Sequence, residues 1–168
     1  MLPAGPAAPA PIRFLGAVVD WAVVAIGAVM VMLVFVNVVL HMFGRDLAWV
    51  VELAELLMVW VTFLAGASAA RRGAHMTITE FLDKLQGRRR IAADAAIQAI
   101  AIGMLGLMLY FGAGLVNASW GNELTVLGIA MAWQYLALPL GATAAMAFTM
   151  WDLVQILRGR SAQQRYGI

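Results

Sequence analysis

Glu52 and Glu55 are the side chains of this sequence best placed to do chemistry, because carboxylates three positions apart share one face of a helix and both lie inside an apolar run. A carboxylate drawn out of water can carry a proton or hold a cation, so such groups mark ion pathways in membrane proteins. A self-sufficient proton-coupled exchanger using this pair is one reading. An exchanger, however, needs a carboxylate reachable from both sides near mid-membrane, and these two fall in the outer third of their run. An interfacial pair reaching water or Arg45 is the structural alternative. The same helical face continues through Thr62, Gly66 and Ala69, a narrow polar and small strip suited to contact with another protein. Asp20, Asp94 and Asp152 fall at the other ends of their runs, where Arg13, Arg90 and Arg158 or water can neutralise them. His41 and His75 stand at opposite ends of the apolar layer and cannot readily share a metal or a haem. The chain has no cysteine, which removes thiolate metal sites and thiol redox chemistry. No phosphate-cradling glycine loop, nucleophile elbow or metalloprotease histidine pair occurs. The residues therefore point to no enzyme, no metal site and no cofactor.

The elements that carry these residues are set by hydropathy and charge. With 64% hydrophobic residues, 12% charged residues and a mean hydropathy of +0.88, the 168-residue chain is unsuited to water as its solvent. All eleven Lys and Arg except Arg45 fall in the N-terminal tail, the 71–90 connector or the C-terminal tail. Cations near span ends stay on the cytoplasmic side, so this pattern predicts an all-α membrane protein of four transmembrane helices with both termini inside. The same confinement makes the pI near 9.5 a matter of topology and lipid headgroups and not of nucleic acid. The spans are expected at about 14–41, 47–70, 91–116 and 125–157, inside a four-helix domain at 13–158. A proline-rich tail at 1–12 precedes it and a cytoplasmic tail at 159–168 follows. The first run is longer than a signal-peptide core and is read as an uncleaved span. Ile78, Phe81, Leu82 and Leu85 keep helical spacing between a Thr77/Glu80 capping box and Gly87, which predicts a short amphipathic interfacial helix at about 77–86. The fourth run exceeds the roughly 30 Å hydrocarbon layer at about 1.5 Å per residue, so it needs a tilt, a kink at Pro139 or an interfacial extension.

Small residues supply packing faces. Burying Leu against protein instead of lipid gains nothing hydrophobic, so close backbone approach is what joins membrane helices. Ala92, Ala96, Ala99, Gly103 and Gly106 line one side of the third run, and Ala137, Gly141 and Ala145 recur at four-residue intervals in the fourth. Both faces suit either contact within the four helices or a seam for another membrane subunit.

Glu52 and Glu55, with the string Phe63-Leu64-Ala65-Gly66-Ala67-Ser68-Ala69-Ala70-Arg71-Arg72-Gly73-Ala74-His75-Met76, resemble the small, DctQ-like membrane subunit of tripartite ATP-independent periplasmic (TRAP) transporters. Leu127-Gly128-Ile129 and Tyr135-Leu136-Ala137-Leu138-Pro139-Leu140-Gly141 resemble the same family, and the likeness covers about 14–157. Ala130-Met131-Ala132 departs from it, where a proline is expected in many relatives. The resemblance implies a complex in a bacterial or archaeal inner membrane with a large multi-span, DctM-like permease subunit and a periplasmic, DctP-like solute-binding protein. It implies organic-acid transport driven by an ion gradient, commonly sodium, with the substrate and ion sites on the large subunit. The small subunit would then anchor a static scaffold. Its expected partner-facing residues are Glu52, Glu55, Thr62, Gly66, Ala137, Gly141 and Ala145. Arg71, Arg72, Gly73, His75, Arg88, Arg89 and Arg90 are expected at the inner turn and the lipid headgroups.

Overall fold

The structure, a computed structural model, describes residues 9–45, 47–72 and 88–158. Gly73, His75, the 77–86 segment expected as an interfacial helix, and the tails at 1–8 and 159–168 lie outside the described residues, as does the side chain of Arg88.

Four helices in the described chain are long and apolar enough to cross a membrane. Helix α1 is Ala10–Met42 and α2 is Ala48–Arg71. Helix α3 is Arg88–Ala118, and the fourth span is built from a short α4, Ala132–Tyr135, and α5, Ala137–Leu157. Helix α1 begins before the proline-rich tail was expected to end. Pro9 caps it in an extended conformation and Pro11 sits in its first turn, where the missing N–H has no intrahelical partner to lose.

The fourth span departs most from expectation. Residues 125–131, expected as its first turns, form a folded-back loop in which Leu124 N donates to Ile129 O at 2.8 Å and Met131 N to Asn122 O at 2.8 Å. Gly128, at φ +63°, makes the reversal, a backbone region that costs a side-chain-bearing residue strain. The excess length of the fourth run is thus taken up outside the helix. Leu136 joins α4 to α5 with helical dihedrals, φ −57° and ψ −26°, and Pro139 then enters within the first turn of α5. At residue 131, where the family resemblance leads one to expect a nearby proline, a proline would forfeit the bond that Met131 donates to Asn122.

The helices stand in a row, α1 beside α2, α2 beside α5, and α5 beside α3, with α1 also touching α5 through Val19. Its centre is the α2–α5 contact. A Cβ added to Gly141 would lie 2.7 Å from Phe63 Cβ and 2.9 Å from Phe63 O, so the α5 backbone rests directly on the α2 main chain. Ala137 and Ala145, a turn to either side, are also buried, and Ala145 packs with Val19, Ala67, Ala144 and Phe148. These three residues, expected as candidates for a partner seam, are already covered by this chain. Helix α3 meets α5 through Gly112, whose Cβ would stand 3.0 Å from Leu138, and of its small-residue stripe Gly106 lies toward Met146 of α5, 3.8 Å from where its Cβ would stand. Ala92, Ala96, Ala99 and Gly103 face outward instead. Helix α1 lies at an edge of the row, and its apolar window has no buried residue.

Gly141→Leu is expected to destabilise the fold by about 1–3 kcal/mol, because the new side chain must push Phe63 and the α2 backbone away. Thermal unfolding in detergent or nanodiscs checks this, with Gly103→Leu, whose Cβ would meet nothing within 4 Å, expected to leave the midpoint unchanged.

Candidate functional site

Polar side chains inside an apolar layer must find partners, since no water is present to serve them. They do so at two levels of the row, one near the arginine-bearing helix ends and one near the 119–131 loop.

At the arginine end the Asp20 carboxylate of α1 accepts hydrogen bonds from Ser68 Oγ and Arg71 Nη2 of α2, and Arg72 Nη2 stands 3.3 Å away. One anion thus ties the last turn of α2 to α1 with both cations of the Arg71-Arg72 pair. Gly16, one turn before Asp20, creates the space, because a Cβ there would lie 2.8 Å from Arg71 Cδ and Cζ. The Arg71 side chain is 18% exposed and that of Arg72 59%, so Arg71 is the structural member and Arg72 reaches outward. The partner of Asp20 is therefore the neighbouring helix and not Arg13. Arg89 is exposed, and Arg90 and Asp94 are both engaged. Between α3 and α5, Gln98 Nε2 donates to Asp152 Oδ2 in a buried setting that also holds Gln155.

At the other end Glu52 and Glu55 part company. Three residues advance a helix by about 300°, which leaves a difference of about 60° between the two directions. Glu52 turns toward the loop, where both of its oxygens accept from Val126 N, at 3.0 and 2.9 Å, and Oε2 also accepts from Leu127 N at 2.9 Å. A carboxylate thus satisfies two backbone donors that the folded-back loop leaves free, a charge-assisted contact stronger than one between neutral groups. Glu55 faces outward and has no hydrogen-bond or ion-pair partner among the described residues. Thr62 and Gly66 are exposed on the same side, and Thr62 Oγ1 donates to Met58 O at 2.8 Å.

Further contacts fix this end. Trp60 Nε1 donates to Trp133 O at 3.0 Å, and the rings of Trp133 and Trp120 meet edge to face with centroids 6.2 Å apart. Asn37 Oδ1 accepts from Leu47 N at 3.1 Å and closes the turn between α1 and α2. Sequence reasoning did not single out Gly16, Asn37, Ser68, Gln98 or Trp60. Asn37 and Gln98, polar residues within apolar runs, were the available signal for two of them.

The strings that resemble a known family therefore have structural work. Leu127-Gly128-Ile129 is the loop that Glu52 holds, and Ala137 to Gly141 is the close face against α2. The DctQ component of tripartite ATP-independent periplasmic transporters matches residues 30–159. The chain belongs to this family. It is also similar to the sialic acid TRAP transporter small permease protein SiaQ of Vibrio cholerae, at 29% identity over 118 residues, covering 68% of each chain. A DctQ-like chain is a multi-pass transporter subunit and not an enzyme.

Glu52→Gln replaces one acceptor oxygen with a donor and removes the charge, so the loop should loosen without loss of the helices. Amide exchange at Val126 and Leu127 is expected to rise by roughly tenfold, the loss of about 1.5 kcal/mol in a hydrogen bond to a charged group. Asp20→Ala should cost more than about 1 kcal/mol of stability by leaving Arg71 without its anion. A thermal scan of the variant against Arg72→Ala, expected to be milder because Arg72 is largely exposed, tests that ranking.

Proposed function

We propose that this DctQ-like chain is the scaffold of an organic-acid TRAP transporter in an inner membrane, anchoring a large ion-coupled, DctM-like permease subunit that a periplasmic solute-binding protein supplies. One observation carries the reading: the exposed edges of the row. The helices share only a small core of Val19, Ala67, Ala144, Ala145 and Phe148, and α1 and α3 stand at opposite edges with long exposed apolar faces that a neighbour would cover. Rigidity suits a static wall, and it comes from the Gly141 contact and the Asp20 and Glu52 clamps.

The self-sufficient exchanger, with Glu52 and Glu55 as the coupling pair, is less well supported. Glu52 is occupied by two backbone amides, and Glu55 points away from it to the outer surface. In the orientation we propose, the Arg71, Arg72, Arg89 and Arg90 end faces the cytoplasm and the Glu52-held loop faces the periplasm. The organic acid and the ion are bound by the large subunit.

Co-expression with the large permease subunit is expected to yield a stable one-to-one complex, and deleting this chain to abolish sodium-driven organic-acid uptake. Uptake that survives the deletion overturns the scaffold role. Because the chain lacks cysteine, a single introduced thiol reports topology cleanly. A cysteine beside Gly128 should react with an impermeant maleimide in whole cells, and one beside Arg89 should react only after lysis.

A further inference from the structure

Helix α2 sits in the middle of the row, flanked by α1 and α5, and between Val50 and Arg71 its exposed residues are Val51, Glu55, Met58, Thr62 and Gly66. Their spacing of four, three, four and four traces one straight line along a helix. The line is a narrow strip, not a broad face, because every other residue in that stretch is at least partly covered.

The chemistry of the strip is uneven in a way that lipid does not explain. Thr62 turns its hydroxyl back onto Met58 O and so presents a methyl. Gly66 presents bare backbone, with nothing within 4 Å of where a Cβ would stand. Glu55 lies about 9 Å along the axis from Trp49, an aromatic residue suited to the membrane interface, and so falls inside the apolar layer. Asp20, Glu52 and Asp152 are each given donors by this chain, but Glu55 has none among the described residues. A carboxylate at that depth facing acyl chains is costly, and a cation brought by a partner removes the cost.

We propose that the Val51 to Gly66 strip is the seat of one transmembrane helix of the large permease subunit, which places an Arg or Lys beside Glu55 and packs closely over Gly66. The assignment rests on the scaffold reading above and selects one of the surfaces that reading leaves open. Charge complementarity fixes the register, and the glycine permits the backbone approach that joins helices in lipid. The outward alanine stripe of α3 has no comparable unpaired charge and is left to lipid.

The test uses the full chain co-expressed with its large permease subunit and purified through a tag on that subunit. Gly66→Leu and Glu55→Lys are expected to lower the co-purified fraction roughly tenfold, the size of an overpacked or like-charged contact. Gly103→Leu, an equally open glycine on α3, should co-purify like the wild type. Unfolding midpoints of the isolated variants should stay at the wild-type value, because neither substituted position touches a neighbour within this chain. Thr62→Cys carrying a benzophenone should crosslink to the large subunit. The proposal falls if both strip variants co-purify normally, or if Gly103→Leu is the disruptive one. It falls equally if the crosslink joins two copies of this chain or reaches only lipid. Failure of the wild-type chain to co-purify at all would instead sink the scaffold reading, so the two failures are distinguishable.

Discussion

The α5 backbone can approach α2 only because residue 141 has no side chain. Phe63 Cβ and carbonyl oxygen occupy the place a Cβ would take, so the helices meet main chain to main chain. In lipid this is the interaction that matters, since apolar side chains gain nothing by leaving acyl chains for protein and dispersion at short range has to supply the attraction. Everything else hangs from that pair. Helix α1 is attached to α2 and touches α5 through Val19, α3 is attached to α5, and α1 and α3 lie at opposite edges of the row. The buried Ala137 and Ala145 extend the contact along α5 without widening it.

Polar residues then lock the ends of the row. Helix α1 packs near one end through Val19, Ile12, Leu15 and Val23, and polar contacts add to this, Asp20 with Ser68, Arg71 and Arg72 at that end and Asn37 with Leu47 N at the other. The fourth span is held at its start by Glu52 and Trp60, both from α2. A donor or acceptor unpaired in hydrocarbon is costly, so each pair disfavours separation of its two segments more than it would in water. Helix α2, or Leu47 and Arg72 at its two ends, supplies a partner in every one of these contacts.

The four spans were legible in the sequence because hydropathy and charge placement are properties of the chain read in one dimension. The Glu52 loop was not. Val126, Leu127 and Ile129 extend an apolar run without a break, and only Gly128 marks the reversal. Its positive φ accompanies a reversal closed by local backbone bonds, and the carboxylate that holds the loop comes from more than seventy residues away. Neighbour order was equally hidden. Asp20 lies close in sequence to Arg13, yet it is served by Arg71 and Arg72, because α2 runs alongside the arginine end of α1. A small-residue pattern also has no direction. The stripe of α5 faces inward, whereas that of α3 faces outward from Ala92 to Gly103 and turns toward α5 only at Gly106.

The parting of Glu52 and Glu55 shows how a shared helical face misleads at close range. An i, i+3 pair diverges by about 60°, enough for one carboxylate to meet the loop and the other to face out when a helix sits between two neighbours. Their equivalence in sequence made a joint proton site a reasonable thought. Their geometry divides the labour, with one charge closing this chain upon itself and the other left over at its surface. An acid surplus to a chain's own needs, on the only exposed line of its central helix, has its energetic justification outside that chain. In the arrangement proposed above, that justification is a cation carried by a helix of the large subunit.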